Sequence, residues 1–406
     1  MNVSSQPIKN ILELKAKIAQ STSQKTSDVL DIILAGAVCL ESSDLHIEPE
    51  KERIKIRVRI DGVLQEVTVI DKKLYQALLS RIKLLAKLKL NISHQPQDGR
   101  FSLLFPEELA VEVRVSSLPA EHGEALVLRI LNPKTLVEME KLGLKNDLLA
   151  LLKKEIKKPN GMIIVTGPTG SGKTTTLYAL MKKIQKPEIK IITIEDPIEY
   201  HLEGISQTQV KKGYDFASGL KSVMRQDPDV ILVGEVRDLE TVQTAIQAAL
   251  TGHLVFTTLH TNDGAGTVAR LIALGAEPSN IGPAVNLIIA QRLLRRICPK
   301  CSALREPTAQ ELREIKKEIK DVPANVKIPE VKGCKNCNST GYRGRIGIFE
   351  IMLIDDEMEN FIVTKPSIAA LKAMAVKRGM VPLKQDAILK VLKAMTTLAE
   401  VERIVG

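Results

Sequence analysis

Residues 167–174 read Gly-Pro-Thr-Gly-Ser-Gly-Lys-Thr. They fit G-x-x-x-x-G-K-[ST] at every fixed position, the spacing of a loop that cradles phosphates. The glycines let the backbone wrap closely, so the amides of Gly170, Ser171, Gly172 and Lys173 can point inward. Lys173 would reach the outer phosphates, and the Thr174 hydroxyl would hold magnesium (Mg2+). Gly167, Pro168, Thr169 and Thr175 complete the nucleotide-binding stretch. GMIIVT reads as the strand before it and TTTLYALMKKI as the helix after it, whose N-terminus favours anions. An ordinary glycine-rich turn would not explain Lys-Thr at a helix start.

Carboxylates come next. The apolar run KIITIED ends in Glu195-Asp196, with Glu199 three residues further on, and VILVGE ends in Gly234-Glu235. Nucleotide sites often place a magnesium-directed Asp at such a strand end, and here that place holds Gly-Glu. In an open parallel sheet, ligands lie at the carboxyl ends of the strands. Water attacking an outer phosphate needs an acceptor for its proton. We assign that role to Glu235 and give Glu195 an indirect hold on water or magnesium. These acids would otherwise be solvated strand ends. His253 precedes the next apolar strand and His260 ends it, where a side chain can sense the outer phosphate or bridge to a neighbour. Arg100, Arg114 and Arg129 are spread along an earlier stretch. An arginine brought from another domain can neutralise charge on a transferred phosphate, and surface ion pairing is the plainer alternative. Arg225 and Arg237 are second-rank candidates.

Four of the five cysteines form two pairs, Cys298–Cys301 and Cys334–Cys337, each spaced Cys-x-x-Cys. Four thiolates suffice for a closed, structural zinc (Zn2+) site. The spacer, 302–333, exceeds the common ~15–20 residues, and a charged helix at 308–320 accounts for the excess. Cys39, in AGAVCL, is expected to be a small core residue.

These residues need elements to hold them. With 406 residues, 44% hydrophobic and 26% charged, the chain has the composition of a globular protein of two or three domains. No apolar run approaches the ~18 residues of a membrane span, and the start lacks a secretory pattern, so a cytoplasmic location is expected. The net charge of +10 would permit nucleic-acid binding, but aromatics are only 3%, Trp is absent and no dense basic tract occurs. That argues against base stacking. Residues 1–25 read as a polar arm or one loose helix. Residues 26–131 read as a small α+β domain with a mostly antiparallel sheet, including a hairpin turn at Asp61-Gly62; QPQDGRF marks a further turn. A linker spans 132–143. Alternating strands and helices over 144–297 predict an α/β domain with a parallel-type sheet, with its last two helices near 264–274 and 280–297. Gly264 and Gly266 suggest that the first of these starts later than 264. A zinc module at 298–345 and a mainly helical subdomain at 346–406 close the chain.

The combination resembles the bacterial ATPases of type II secretion and type IV pilus assembly, within the larger secretion-ATPase superfamily. SSDLHIEPE (42–50), PQDGRF (96–101), VRVSSLP (113–119), GPTGSGKTT (167–175), TIEDPIEY (193–200), RQDPDVILVGEVRD (225–238), TGHLVFTTLHTND (251–263), AQRLLRRICPKC (290–301) and GCKNCNSTGYRGRIGIFE (333–350) carry the resemblance. It implies a PAS-like domain before a RecA-like P-loop domain, in a homohexameric ring that hydrolyses ATP with Mg2+. It also implies work at the inner membrane, through a platform protein of a pilus or secretion machine, with no direct contact to nucleic acid. Glu235 matches the catalytic glutamate and Glu195 its best companion in the acidic box. His253 and His260 match the histidine box, and Arg100 and Arg114 match arginines that reach the nucleotide. The four cysteines match the assembly and secretion branch. Such ATPases usually carry a further N-terminal domain, whereas residues 1–25 are all that precede the matched stretch. Two other readings share the P-loop: a nucleic-acid translocase, and a nucleotide-switched scaffold with little turnover.

Overall fold

Strict alternation in IKIRVRI and VEVRVSS buries one face of a sheet and leaves charged side chains on the other. In a computed structural model that describes residues 8–21, 26–106 and 109–406, the chain divides into two units. The first holds the residues up to 135 together with 298–302 and 331–344. Its elements are α1 (Ile11–Ser21), α2 (Thr26–Cys39), β1 (Asp44–Pro49), β2 (Ile54–Ile60), β3 (Val63–Ile70), α3 (Lys72–Leu85), β4 (Gln97–Leu104), β5 (Ala110–Ala120) and β6 (Gly123–Leu131). The six strands pair antiparallel in the order β3-β2-β1-β6-β5-β4. Asp61 and Gly62, with φ of 50° and 82°, make the hairpin turn that their types predict.

Three expectations change in this unit. The described part of the supposed arm is a packed helix: Leu14 and Ile18 are buried, and Leu14 fills the space that a side chain at Gly36 would need. Residues 1–7 and 22–25 lie outside the described residues. QPQDGRF is largely strand from Gln97 on, and Gly99 is required where β4 passes α3, since a Cβ there would stand 2.2 Å from the Ala86 carbonyl oxygen. Cys39 is exposed at the end of α2. Ala35 and Gly36, one turn earlier on the same face, are buried, so the thiol is exposed by its place at the helix end.

The second unit contains α4 (Asn146–Glu155), β7 (Gly161–Thr166), α5 (Lys173–Ile184), β8 (Ile191–Glu195), β9 (Ser206–Gln209), α6 (Phe216–Val223), β10 (Val230–Val233), α7 (Leu239–Leu250), β11 (Leu254–Leu259), α8 (Gly264–Ala273), α9 (Pro278–Ala284) and β12 (Val285–Ile297). β13 (Ser302–Arg305), α10 (Ala309–Glu318), β14 (Ile328–Val331) and β15 (Tyr342–Leu353) follow, and α11 (Asp356–Val363), α12 (Ile368–Lys377), α13 (Leu383–Leu392) and α14 (Leu398–Val405) close the chain. The main sheet has the order β15-β12-β7-β11-β10-β8-β9. Its strands run parallel from β12 to β9. β15 runs back along β12, as the bonds Cys298 N to Gly341 O and Ile354 N to Asn286 O at its ends require. The sheet is therefore mixed. No helix among the described residues is long and apolar enough to cross a membrane.

The expected helix over 280–297 is instead a short helix and a long strand. The short apolar run LIIA at 287–290 does not distinguish a buried helix from a strand buried on both faces, and Pro283 ends α9 early. Helix α8 does begin at Gly264: Asp263 caps it, accepting from the Gly266 amide at 2.8 Å. Gly264 is packed, since a Cβ there would stand 3.2 Å from that of Met352. The linker is also packed, with Met139 and Leu142 buried in the second unit's core.

Candidate nucleotide site and metal centre

The phosphate loop joins β7, buried throughout, to α5. Gly167, Gly170 and Gly172 have φ of 149°, 79° and 87°, values that disfavour any side chain. A Cβ on Gly170 would meet nothing within 4 Å, so the loop is open at that point. Lys173 Nζ donates to the carbonyls of Gly167 (2.8 Å) and Pro168 (3.2 Å) and so lies back across the loop. Burial lowers its proton affinity, Glu235 and Glu199 oppose that, and Arg292 adds to it. Ser171 Oγ is buried with no hydrogen-bond partner. Such an orphan, with open space and left-handed glycines around it, fits a cradle for an anion. Thr174 sits in the first turn of α5 and remains partly accessible.

Glu235 follows β10, which lies between β8 and β11. Its side chain is only 12% exposed. Gly234 N donates to Ile194 O (2.8 Å) and Thr258 Oγ1 to Gly234 O (2.6 Å), which fixes the backbone that presents it. One carboxylate oxygen pairs with Arg237, and the other lies 3.7 Å from His260 Nε2. His260 follows Leu259, the register partner of Thr166 just before the phosphate loop. His260 is pushed below its ordinary range by burial and by Lys173, with Glu235 opposing.

Glu195 is differently placed. It is buried, and it accepts from Tyr178 Oη, Thr193 Oγ1 (2.6 Å) and Gln207 Nε2 (3.0 Å). Burial and the Glu195 charge push the Tyr178 phenol well up. A carboxylate engaged by three donors offers little to water or a metal, whereas Glu199 is the acid of this box whose charge acts on Lys173. His253 is not near the phosphate loop. It precedes β11 beside Gly161, at the opposite end of the strands, about 20 Å away by strand rise, and its Nδ1 lies 3.0 Å from the Ala248 carbonyl oxygen.

Two residues near the loop belong to the stretch AQRLLRRICPKC, which carries part of the resemblance but gives neither of them a role. Gln291, buried on β12, accepts from Thr176 Oγ1 at 2.7 Å, and its Nε2 stands 2.9 Å from where a Gly172 Cβ would be. Arg292 lies as close to Gly167, at 3.1 Å on the same measure. Both lie on strand β12, where a helix over 280–297 is expected, and pairing of β12 with β7 aligns them with the loop.

In the first unit, Arg100 and Arg114 are direct cross-strand partners on β4 and β5. Arg114 faces Arg129 on β6, Arg129 faces Asp44 on β1, and Asp44 faces Arg59 on β2. The row thus holds four arginines and one acid. Asp44, nearly buried, draws Arg129 (3.2 Å) and Arg59 (3.4 Å), while Arg100 lies 3.7 Å from Glu112. Arg225 lies in the short turn that follows α6.

The four sulfurs of Cys298, Cys301, Cys334 and Cys337 all lie within 4.8 Å of one another. Three pairs are 3.9, 3.7 and 3.8 Å apart. Four thiolates around one zinc at about 2.3 Å stand about 3.8 Å apart, so the donor set fits. Amides of Cys334 (3.2 Å) and Gly341 (3.3 Å) donate to Cys337 Sγ. Burial, with Cys337 beside it, pushes Cys301 up to about 12. At Cys298 burial acts the same way, but donors from Asn336 and the Lys300 backbone outweigh it and leave about 7. Four sulfurs this close cannot all ionise without a cation between them. The module belongs to the first unit: Asn338 Oδ1 accepts from Ile11 N (2.9 Å) and Asp61 Oδ2 from Gly344 N (2.8 Å).

The family described as type II/IV secretion system protein matches residues 19–403. Type II secretion system protein E of Aeromonas hydrophila is 43% identical over 379 residues, 93% of this chain and 75% of that protein. The type IV pilus assembly ATPase PilB of Myxococcus xanthus is 41% identical over 376 residues, 92% and 66% of the two chains. Among solved structures, the pilus retraction motor PilT with bound ADP aligns with a TM-score of 0.61 at 28% identity, covering 92% of this chain and 96% of that one. The ATPase DotB of Legionella pneumophila shares the fold, with a TM-score of 0.68 at 22% identity over 92% and 94%.

Proposed function

The chain belongs to the type II/IV secretion system protein family, and from that premise we propose that it is an ATP-hydrolysing motor that drives assembly of pilin-like subunits at the inner membrane. The observation that carries this reading is Glu235, held between Arg237 and His260 at a strand end and acting on Lys173 of the phosphate loop. In hydrolysis, the water oxygen bonds to the outer phosphorus, the bridging bond breaks and ADP departs. The proton passes to the Glu235 carboxylate. Lys173 and the loop amides hold the phosphates. Thr174 would hold Mg2+, which neutralises phosphate charge when bound. Glu195 acts from behind, fixing Tyr178 and the start of the acidic box.

We read the first unit as PAS-like and its arginine row as the source of Arg100 and Arg114 for a neighbouring subunit's nucleotide. The working form is then a homohexameric ring, peripheral to the membrane through an inner-membrane platform protein and without nucleic acid. The cysteine module carries a structural zinc. Mixing two inactive variants tests the shared site. Arg114→Ala and Lys173→Ala chains should each fail to release phosphate alone and regain part of the wild-type rate when co-assembled. Mixtures as inactive as their components, beside an active wild type, would overturn the ring reading.

A further inference from the structure

Arg292 occupies an unusual place on β12. Its Nη1 donates to its neighbour's carbonyl, Gln291 O, at 3.1 Å. Its Nη2 donates to Asn262 twice, to the backbone oxygen at 3.3 Å and to Oδ1 at 3.2 Å. The guanidinium also lies flush against Gly167, where a Cβ would stand 3.1 Å from Nη1. One side chain thus borders the side-chain space at the first residue of the phosphate loop and bonds the segment 260–263 that carries His260. The other side of that segment is already tied down: Thr166 Oγ1 accepts from Thr261 N (2.9 Å) and meets Thr261 Oγ1 (2.7 Å). Downstream, Asp263 caps α8, and the Gly264 amide donates to buried Glu350 (3.0 Å). Asn262, the exposed residue between these anchors, is held through Arg292.

We propose that Arg292 is a positioning residue that clamps the 260–263 segment, and with it His260, to the phosphate loop. The planar guanidinium can bond two acceptors of one residue while resting against a glycine. A lysine has the charge but not the fork. Removing the clamp leaves the loop glycines and Lys173 in place, so nucleotide binding should survive while the alignment of His260 and Glu235 relaxes. Misplacement of this kind costs turnover steeply, up to about 10²-fold for 1 Å.

The inference rests on the ATPase reading for its kinetic part, and a readout independent of turnover is therefore included. Arg292→Ala, Arg292→Lys, Asn262→Ala and the double Arg292→Ala/Asn262→Ala chains are compared with wild type. Hydrogen exchange of nucleotide-free protein should show amides 260–264 exchanging roughly tenfold faster in both Arg292 variants, with the melting temperature kept by Arg292→Lys. Steady-state kinetics should show kcat lowered about 10-fold or more, KM and ADP affinity within about 2-fold, and no further loss in the double variant beyond Arg292→Ala. Unchanged exchange over 260–264 would overturn the clamp whether or not the protein turns over. So would weakened ADP binding at unchanged kcat, which would make Arg292 a phosphate ligand, and so would independent, multiplying losses. A wild type inactive with ATP but showing the exchange difference would sink the ATPase reading and leave the clamp standing.

Discussion

Glu235 Oε2 and His260 Nε2 stand 3.7 Å apart, at the ends of neighbouring parallel strands β10 and β11. The pair sits beside Lys173, and burial together with the Lys173 charge keeps His260 below the ordinary value of 6.5. As pH falls, protonation should come later than for a free imidazole.

The acid limb of turnover should accordingly set in at lower pH than an ordinary histidine would give. His260→Gln keeps a neutral hydrogen-bonding group, so it should retain part of the rate at pH 7 and lose the histidine-dependent portion of the acid limb. A pH profile of kcat for both chains checks this. An unaltered acid limb in the variant would remove His260 as its source.

Glu400 on α14 is buried, yet it accepts from Arg295 N (3.0 Å), Nε (3.0 Å) and Nη2 (2.7 Å), and from Arg403 Nε (2.8 Å) and Nη2 (2.5 Å). It ties the last helix to β12, the strand that backs the phosphate loop. Burial raises its pKa, but Arg403 and Arg295 outweigh burial and hold it below 4.5. A depressed carboxylate stabilises the fold above its unfolded value, and that contribution is lost as pH falls through the folded one. Glu400→Gln should cost about 3 kcal/mol at pH 7, in the range for breaking a buried pair. The gap to wild type should narrow as pH falls below 4.5. Urea unfolding at several pH values measures both, and an equal gap throughout would show that packing rather than charge is lost.

The cysteine cluster should carry about one zinc per chain. Cys334→Ser should lower that content and loosen the first unit, because Asn338 and Gly344 of the same module bond Ile11 and Asp61. Metal analysis, with proteolysis around α1, provides the check. A metal-free chain that resists proteolysis as the wild type does would contradict it.

Much of this site was legible because local chemistry fixed it. The phosphate loop announces its own strand and helix, since Gly172 must be left-handed where Lys173 starts α5. Strand ends deliver Glu235 and His260 side by side, because parallel strands in register place successive carboxyl ends together. What was hidden depends on partners distant in sequence. Glu195 looks like Glu235 along the chain, but Tyr178 and Gln207 take up its oxygens. Gln291 and Arg292 follow a short apolar run, LIIA at 287–290, that fits a helix or a doubly buried strand, and only pairing with β7 decides. His253 shares a motif with His260, yet a strand carries it to the far edge. Cysteine spacing pointed to a metal but not to the unit that holds it.

The most direct measurement is phosphate release by wild type and Glu235→Gln, made beside ATP binding by each. Glutamine keeps the shape and loses the proton acceptor. The expected result is unchanged ATP affinity with turnover lower by at least about 10²-fold, the usual minimum for a general base. Equal turnover in the two chains would take Glu235 out of the chemistry and contradict the mechanism.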